Sequence, residues 1–217
     1  MFHQGLSPSR EGRGRKRQSA REETLVYLNE HAALKATLGE YDAALGLCEE
    51  GLLLARRSRS FRAREAELNL YATRANVALR NFELDSAIED YEKALETAEA
   101  IGSLGNQAMT LNNLGKVYSQ CDRYRDAISA FKEAEKTCLR IDEGPSLVAI
   151  HSNLAILHSK IGDYPSMEAA LAAAERLAHS AGRREKFFLS HANGLARIFQ
   201  GKYSEARNRL ERAIAEG

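Results

Sequence analysis

Residues 114–134 read LGKVYSQCDRYRDAISAFKEA, and this stretch decides the fold because altered copies of it recur along the chain. Its recurring features are small residues within the helices and aromatic residues near the turn. The small residues are Gly115, Ala127 and Ala134, and the aromatic residues are Tyr118, Tyr124 and Phe131. Internal repeats are sought before local structure, because a fixed period of roughly 20–50 residues changes the interpretation of the whole chain.

Four further copies fit the same frame, within residues 39–44, 85–94, 154–174 and 201–213. Aligning the residue that follows the turn gives spacings of 43, 40, 40 and 39 residues between Ala44, Ala87, Ala127, Met167 and Ala206. Five copies at such regular spacing make coincidence a poor explanation. The chain is therefore an array of repeats of about 40 residues.

Each copy contains two amphipathic helices around a short turn. Apolar residues recur at three- and four-residue intervals on both sides of the turn, which predicts two antiparallel helices. In the third copy the first helix is predicted at residues 107–120 and the second at residues 125–141. Gly39, Gly162 and Gly201 suit the left-handed residue that ends the first helix, whereas Phe82 takes this place in the second copy.

This pattern resembles the tetratricopeptide repeat from about residue 22 onward, in a variant longer than the usual 34 residues. It is similar to the repeats of kinesin light chain and of bacterial regulatory proteins. The resemblance implies an all-α fold: a right-handed superhelical α-solenoid of about five antiparallel helix pairs. The first helix of each pair (the A helix) would line a concave groove, and the second (the B helix) would lie outside. The predicted repeats occupy residues 22–58, 62–102, 104–141, 145–180 and 184–217.

The charge of the chain is unevenly distributed. The net charge is +1, yet residues 1–21 carry six Lys or Arg against one acid, so the remainder is mildly acidic. This basic segment has few apolar residues to bury, and we expect a disordered tail over residues 1–21. A tail of this kind could contact nucleic acid, but no aromatic residues interleave with its charges, so nucleic acid is a minor alternative.

The sequence predicts no catalysis, no cofactor and no metal site. Gly201-Lys202-Tyr203 lacks the spacing and the Ser or Thr of a phosphate-binding loop. His151 and His158 share a helix face, but no third ligand joins them. Three cysteines at unrelated spacing fit a reducing compartment, with Cys48 in the core, and no apolar run could span a membrane. We therefore expect a cytoplasmic protein.

Candidate groove residues follow from the geometry of the resemblance, which selects A-helix residues that face away from the B helices. Several are asparagines, whose side chains offer a donor and an acceptor to a peptide backbone. The alternative for Asn113 and Asn153 is that they hydrogen-bond between repeats and position the stack. The predicted groove residues are Asn69, Asn76, Arg80, Asn112, Asn113, Lys116, Gln120, Ser152, Asn153, Ser159, Lys160, His191, Leu195 and Phe199.

The clamp that some family members use to hold a C-terminal carboxylate is not predicted. Asn76 and Asn113 match its two asparagines, but Ala72, Ser152 and Ile156 stand where the resemblance requires basic residues. A carboxylate would meet too few cations at these positions.

We expect a non-catalytic scaffold, adaptor or sensor module that binds a peptide or partner helix in the groove and belongs to a larger regulatory protein. The alternative is a self-association module of a transcriptional or signalling regulator. No polar cap is visible after the fifth B helix, so we also expect a fragment, end-to-end pairing or further repeats, with a self-capping last helix as the alternative.

Overall fold

The computed structural model of the chain describes residues 10–58, 60–178 and 182–216. Throughout this part the chain forms helices and short turns without a β-strand, so the all-α prediction is confirmed. The helices in chain order are α1 (Arg10–Thr37), α2 (Tyr41–Ala55), α3 (Phe61–Arg80), α4 (Leu84–Ala100), α5 (Leu104–Gln120), α6 (Tyr124–Arg140), α7 (Gly144–Lys160), α8 (Tyr164–Ala178), α9 (Arg183–Phe199) and α10 (Tyr203–Glu216).

The helices form five pairs, each made of an odd-numbered A helix and the B helix that follows it. The turn inside a pair is three residues long, as at residues 81–83. Two helices that pack together across so short a connection run antiparallel. The five helix pairs that the sequence predicted are therefore present.

A left-handed residue ends every A helix. Glycine provides it at Gly39, Gly162 and Gly201, with φ of 79°, 78° and 72°, so this prediction is confirmed for all three. Phe82 and Asp122 take the same conformation in the second and third pairs, with φ of 63° and 58°. A side chain with a Cβ atom is strained at such angles, whereas glycine is not.

Small residues let the two helices of a pair approach closely. Ala44, Ala87 and Ala127 are 0% exposed, and Ala206 is 2% exposed. On the A-helix side, a Cβ atom built on Gly115 would lie only 2.6 Å from the Phe131 ring of α6. Bulk at these positions would push the helices apart, as the sequence suggested.

The helices belong to two compact units. Unit 1 extends to Ile101, and Leu25, Cys48 and Leu70 lie in its core. Unit 2 begins at Gly102, and its main core includes Phe131 and Leu154. Within unit 2 the A helices α5, α7 and α9 are neighbours, because α7 packs against both of the others.

Helix α1 begins earlier than the sequence predicted. The expected disordered tail covered residues 1–21, but α1 starts at Arg10, and residues 1–9 lie outside the described residues. Arg, Lys, Gln and Ala are good helix formers, so this segment can extend a helix without an apolar face. Side-chain hydrogen bonds one turn apart, from Gln18 to Glu22 (3.2 Å) and from Ser19 to Glu23 (3.1 Å), support the extension.

Candidate partner-binding site

The A helices of unit 2 present one side that their own B helices do not cover. Gly115 of α5 faces Phe131 of α6, and Gly194 of α9 faces Leu210 of α10, so these glycines mark the covered side. Residues spaced by three or four positions on a different side share a face. We call this the A-helix face and define it by Met109, Asn112, Lys116, Gln120, Ala149, Asn153, Ile156, Lys160, Phe188, His191, Leu195 and Phe199.

An asparagine pair connects α5 to α7 on this face. The Asn153 side-chain amide donates to the Asn112 side-chain oxygen at 2.9 Å. Both side chains are partly buried, so the bond positions two neighbouring A helices. The inter-repeat bond expected as the alternative for Asn153 is therefore present, and its partner is Asn112.

Lys160 forms a second connection between these repeats. Its Nζ atom donates to the Ser119 carbonyl oxygen and to the Asp122 carboxylate, both at 2.8 Å. The same ammonium lies 5.1 Å from the centre of the Tyr124 ring. The hydrogen bond from Lys160 keeps the pKa of Asp122 below its usual value. Lys160 thus already has a carboxylate partner within the chain.

Helix α9 contributes the apolar part of the A-helix face. The Phe188 and Phe199 side chains are 38% and 46% exposed, and Leu195 lies between them on the same side. His191 is exposed and stacks on Phe187, with ring centres 6.1 Å apart. The Arg184 guanidinium lies 5.6 Å from the centre of the Phe188 ring. The face therefore changes from amide and amine groups on α5 to aromatic and aliphatic groups on α9.

The three predicted groove residues of unit 1 have different surroundings. The buried Tyr91 hydroxyl of α4 donates to the Asn76 side-chain oxygen at 2.8 Å. A buried tyrosine hydroxyl requires such a partner, so Asn76 holds α3 against α4. Arg80 is exposed and Asn69 is partly buried. These positions lie in a different unit from the A-helix face.

The remaining predicted residues divide by exposure. Ser152 and Ser159 are buried at 3% and 2%, and the Ser159 hydroxyl donates to the Ile156 carbonyl oxygen at 2.7 Å. Burial removes both serines from the surface that a partner could touch. Asn113 and Lys116 are partly buried, and Gln120 is exposed.

Sequence reasoning overlooked Met109 and Phe188, which are 47% and 38% exposed. Their signal was present in the spacing: Phe188 lies seven residues before Leu195, and Met109 lies seven residues before Lys116. A residue seven positions away returns to the same side of a helix.

Two titratable side chains outside this face, His151 and Cys48, are partly or fully buried among the helices. His151 of α7 is partly buried, with its Nε2 atom 3.5 Å from the Glu135 carboxylate of α6, and burial lowers the pKa of its imidazole. Cys48 is fully buried, as predicted, and burial raises the pKa of its thiol to about 12.

Among the described residues, no group of three His, Cys, Asp or Glu could hold a metal ion. Within the same part of the chain, no helix is long and apolar enough to cross a membrane.

A scan against family models matches residues 65–140 to the tetratricopeptide repeat. The matched segment includes the stretch at residues 114–134, so the resemblance inferred from that stretch is confirmed. None of the curated proteins compared with the chain matches it.

Several solved structures are similar to this chain in fold, at low sequence identity. BtubC (BKLC) from P. vanneervenii is 21% identical, with a TM-score of 0.70 over 96% of this chain and 91% of that chain. Aspartyl phosphate phosphatase F from Bacillus subtilis is 15% identical, with a TM-score of 0.73 over 90% of this chain and 60% of that chain. The nearly identical repeats of a putative kinesin light chain from Podosopora anserina are 16% identical, with a TM-score of 0.66 over 90% and 95%. These likenesses show the fold alone.

Proposed function

We propose that this tetratricopeptide protein is a non-catalytic scaffold that binds a peptide or partner helix on the A-helix face of unit 2. The observation that carries the proposal is the composition of that face. Amide and amine side chains of α5 and α7 and partly exposed aromatic side chains of α9 belong to one row of A helices, in which α7 contacts both α5 and α9. A recognition surface needs apolar groups for affinity and polar groups for orientation, and this face offers both.

The chemistry of the asparagine pair supports peptide recognition. Each side-chain amide has two N–H donors and an oxygen with two lone pairs. The bond between Asn153 and Asn112 uses one donor and one lone pair, at 2.9 Å. Donors and acceptors that remain can pair with a peptide backbone, whose groups are the same in every sequence. Such contacts fix the position of a segment, while its side chains select it.

Two surface depressions lie on other parts of the chain. One of about 550 Å³ on α6 is lined by Lys132, Glu135, Lys136, Leu139 and Arg140. Another, of about 420 Å³, lies between α1 and α2 and includes Arg21 and Leu53. Both lie outside the A-helix face, so neither belongs to the proposed binding surface.

The test is a selection of peptides from a random display library on the full chain, followed by fluorescence anisotropy with the selected peptides. Replacing Asn112, Lys116 and Phe188 together by alanine should weaken binding at least tenfold, which is about 1.4 kcal/mol. Loss of the bond between Asn112 and Asn153 should itself cost about 1 kcal/mol of stability, so affinities are compared at a temperature at which circular dichroism shows every variant fully helical.

The matched control replaces Lys132, Lys136 and Leu139 of α6 by alanine. These residues provide two lysines and one exposed apolar side chain on a B helix, and their loss should leave the affinity unchanged. A selection that yields no binder, or binders affected equally by both triple variants, would contradict the proposal.

Self-association is a second candidate, favoured by an apolar stripe on α1. Tyr27 and Leu34 are 58% and 52% exposed and share one side of α1, and Leu38 in the turn that follows is 62% exposed. The residues of α7 equivalent to the first two are Ile150 and Leu157, and both are buried in the unit 2 core. A second copy of the chain could cover the stripe. Sedimentation velocity should then show a dimer that Leu34→Glu dissociates, and a monomer at all concentrations would reject this candidate.

A further inference from the structure

The A helices of unit 2 contain almost no acidic residues. Glu185 is the one Asp or Glu in α5, α7 and α9, whereas the B helices α6, α8 and α10 contain eight. The same A helices carry six basic residues: Lys116, Lys160, Arg183, Arg184, Lys186 and Arg197. The three B helices also contain eight Lys or Arg, so they carry no net charge, whereas the three A helices are net basic.

Two of these cations serve the joints between repeats. Lys160 pairs with Asp122 at 2.8 Å. Arg197 pairs with Glu168 of α8 and also donates to the Gln200 side-chain oxygen at 2.7 Å. Their carboxylate partners come from a turn and a B helix, so neither pair adds an acid to the A helices.

The acid that does occur in the A helices lies at the end of one of them. Glu185 is in the first turn of α9, where a carboxylate interacts favourably with the helix N-terminus. The A-helix face itself contains two lysines and a histidine but no Asp or Glu, and Arg184 lies beside it over the Phe188 ring. Lys160 is paired with Asp122, and the other Lys and Arg side chains at or beside this face are Lys116 and Arg184.

Positive groups and apolar groups are adjacent on this face. Met109 and Phe199 are 47% and 46% exposed, and Phe188 is 38% exposed under the Arg184 guanidinium. Covering such side chains is favourable at about 25 cal/mol per Å² of apolar surface. A basic partner would be repelled by Lys116 and Arg184, and a partner with polar side chains alone would leave the aromatic groups in water.

We propose that the partner of the A-helix face is an acidic protein segment that also carries apolar side chains, a deepening that rests on the proposed function. Its carboxylates lie near Lys116 and Arg184, and its apolar side chains cover Phe188, Leu195 and Phe199. Complementary charge sets the choice of partner and the rate of association, while buried apolar groups provide much of the affinity.

The test uses four fluorescein-labelled peptides of about 15 residues, a length that can span three helices. The first mixes Glu and Asp with Leu and Phe. The second has Gln in place of the acids, the third has Lys in place of the acids, and the fourth has Ala in place of Leu and Phe. The first should bind best, and its affinity should fall as salt is raised, because salt screens exposed charges.

Charge variants of the full chain locate the contact. Lys116→Glu should weaken binding of the first peptide by about tenfold or more, since it replaces attraction by repulsion. Lys132→Glu makes the same charge change on α6 and should alter the affinity less than about twofold. Phe188→Ala and Leu139→Ala form the equivalent apolar comparison, with loss of affinity expected only for the first.

Two results would overturn the inference: binding of the Lys peptide as strong as that of the acidic peptide, or equal effects of Lys116→Glu and Lys132→Glu. The failure can be distinguished from failure of the proposed function. If library-selected peptides of another composition bind the A-helix face while the acidic peptide does not, the scaffold function stands and the partner class is wrong. If nothing binds this face, both proposals fail.

Discussion

Single residues in the turns carry backbone strain that the helix pairs must tolerate. Asp122 and Asp142 hold φ of 58° and 55°, and Phe82 holds φ of 63° with its ring 83% exposed. A left-handed conformation costs a residue with a Cβ atom about 1–2 kcal/mol. Aspartate accepts this conformation more readily than most residues, whereas phenylalanine has no compensating side-chain hydrogen bond there.

Phe82→Gly should stabilise the protein by about 1 kcal/mol, because relief of strain exceeds the extra entropy that glycine has in the unfolded chain. The exposed ring contributes little packing that could be lost. Thermal unfolding followed by circular dichroism should show a rise of about 2–4 °C. The control is Asn81→Gly in the same turn, where φ is −83° and no strain is relieved. A rise in that variant, or a fall for Phe82→Gly, would contradict the explanation.

Two helical glycines differ in the space that a Cβ atom would have, so their substitution by alanine should have opposite effects on stability. Gly115→Ala places a Cβ atom 2.6 Å from the buried Phe131 ring, whereas Gly46→Ala meets nothing within 4 Å. We expect the first to destabilise the protein by about 1–3 kcal/mol through overpacking. The second should stabilise it by about 0.5–1 kcal/mol, because alanine favours helix. Urea denaturation measures both, and equal effects would show that the contact at Gly115 is unimportant.

Two partly buried arginines form ion pairs between an A helix and a B helix. Arg74 of α3 forms two hydrogen bonds to the buried Asp90 carboxylate of α4, at 2.6 and 2.7 Å. In unit 2, Arg197 of α9 pairs with Glu168 of α8 and lies 3.7 Å from Glu205 of α10. Each arginine therefore links its own A helix to one or two B helices.

The stability of the folded chain should depend on pH because of His151, which lies between α6 and α7. Burial lowers its pKa from 6.5, while Glu135 opposes this shift and Arg176 adds to it. The unfolded chain then binds a proton that the folded chain resists, so stability falls as pH decreases through about 6.5. Urea denaturation from about pH 8 to about pH 5.5, above the range in which most carboxylates titrate, measures this. His151→Asn should flatten the dependence, and an unchanged slope would exclude His151 as its source.

At the scale of the whole molecule, stability comes from neighbouring helix pairs. A lone helix of about 15 residues is marginal in water, so each pair depends on the pairs beside it. Helix α7 contacts α5, α6, α8 and α9, which places it at the centre of unit 2. The A-helix face spans three such helices, and its geometry therefore depends on the packing of the B helices behind it.

Ala127→Phe should test that dependence. Ala127 is 0% exposed in α6, and a large ring there should lower the unfolding free energy by about 1–3 kcal/mol through overpacking. Because α5 would move, binding of library-selected peptides should weaken although no A-helix face residue is changed. Circular dichroism and anisotropy measure the two effects. Ser129→Phe, at an exposed position of the same helix, should alter neither, and unchanged binding in Ala127→Phe would contradict the coupling.

The sequence by itself determined the repeat period, the helix pairs, the left-handed turn glycines and the small residues between helices. These features depend on spacing within one repeat, because apolar residues three and four positions apart share a helix side and only certain residues suit a tight turn. The segment at residues 10–21 was mispredicted because its composition fits both a solvated tail and an extension of α1.

Only the tertiary structure decided which polar side chains remain available to a partner. The hydrogen bond between Asn112 and Asn153 joins residues 41 positions apart, and that between Asn76 and Tyr91 joins residues 15 positions apart. The pattern placed these asparagines on A helices but could not assign their partners. Hydrogen bonds and burial are set by distances between helices, and those distances are fixed only when the helix pairs pack together.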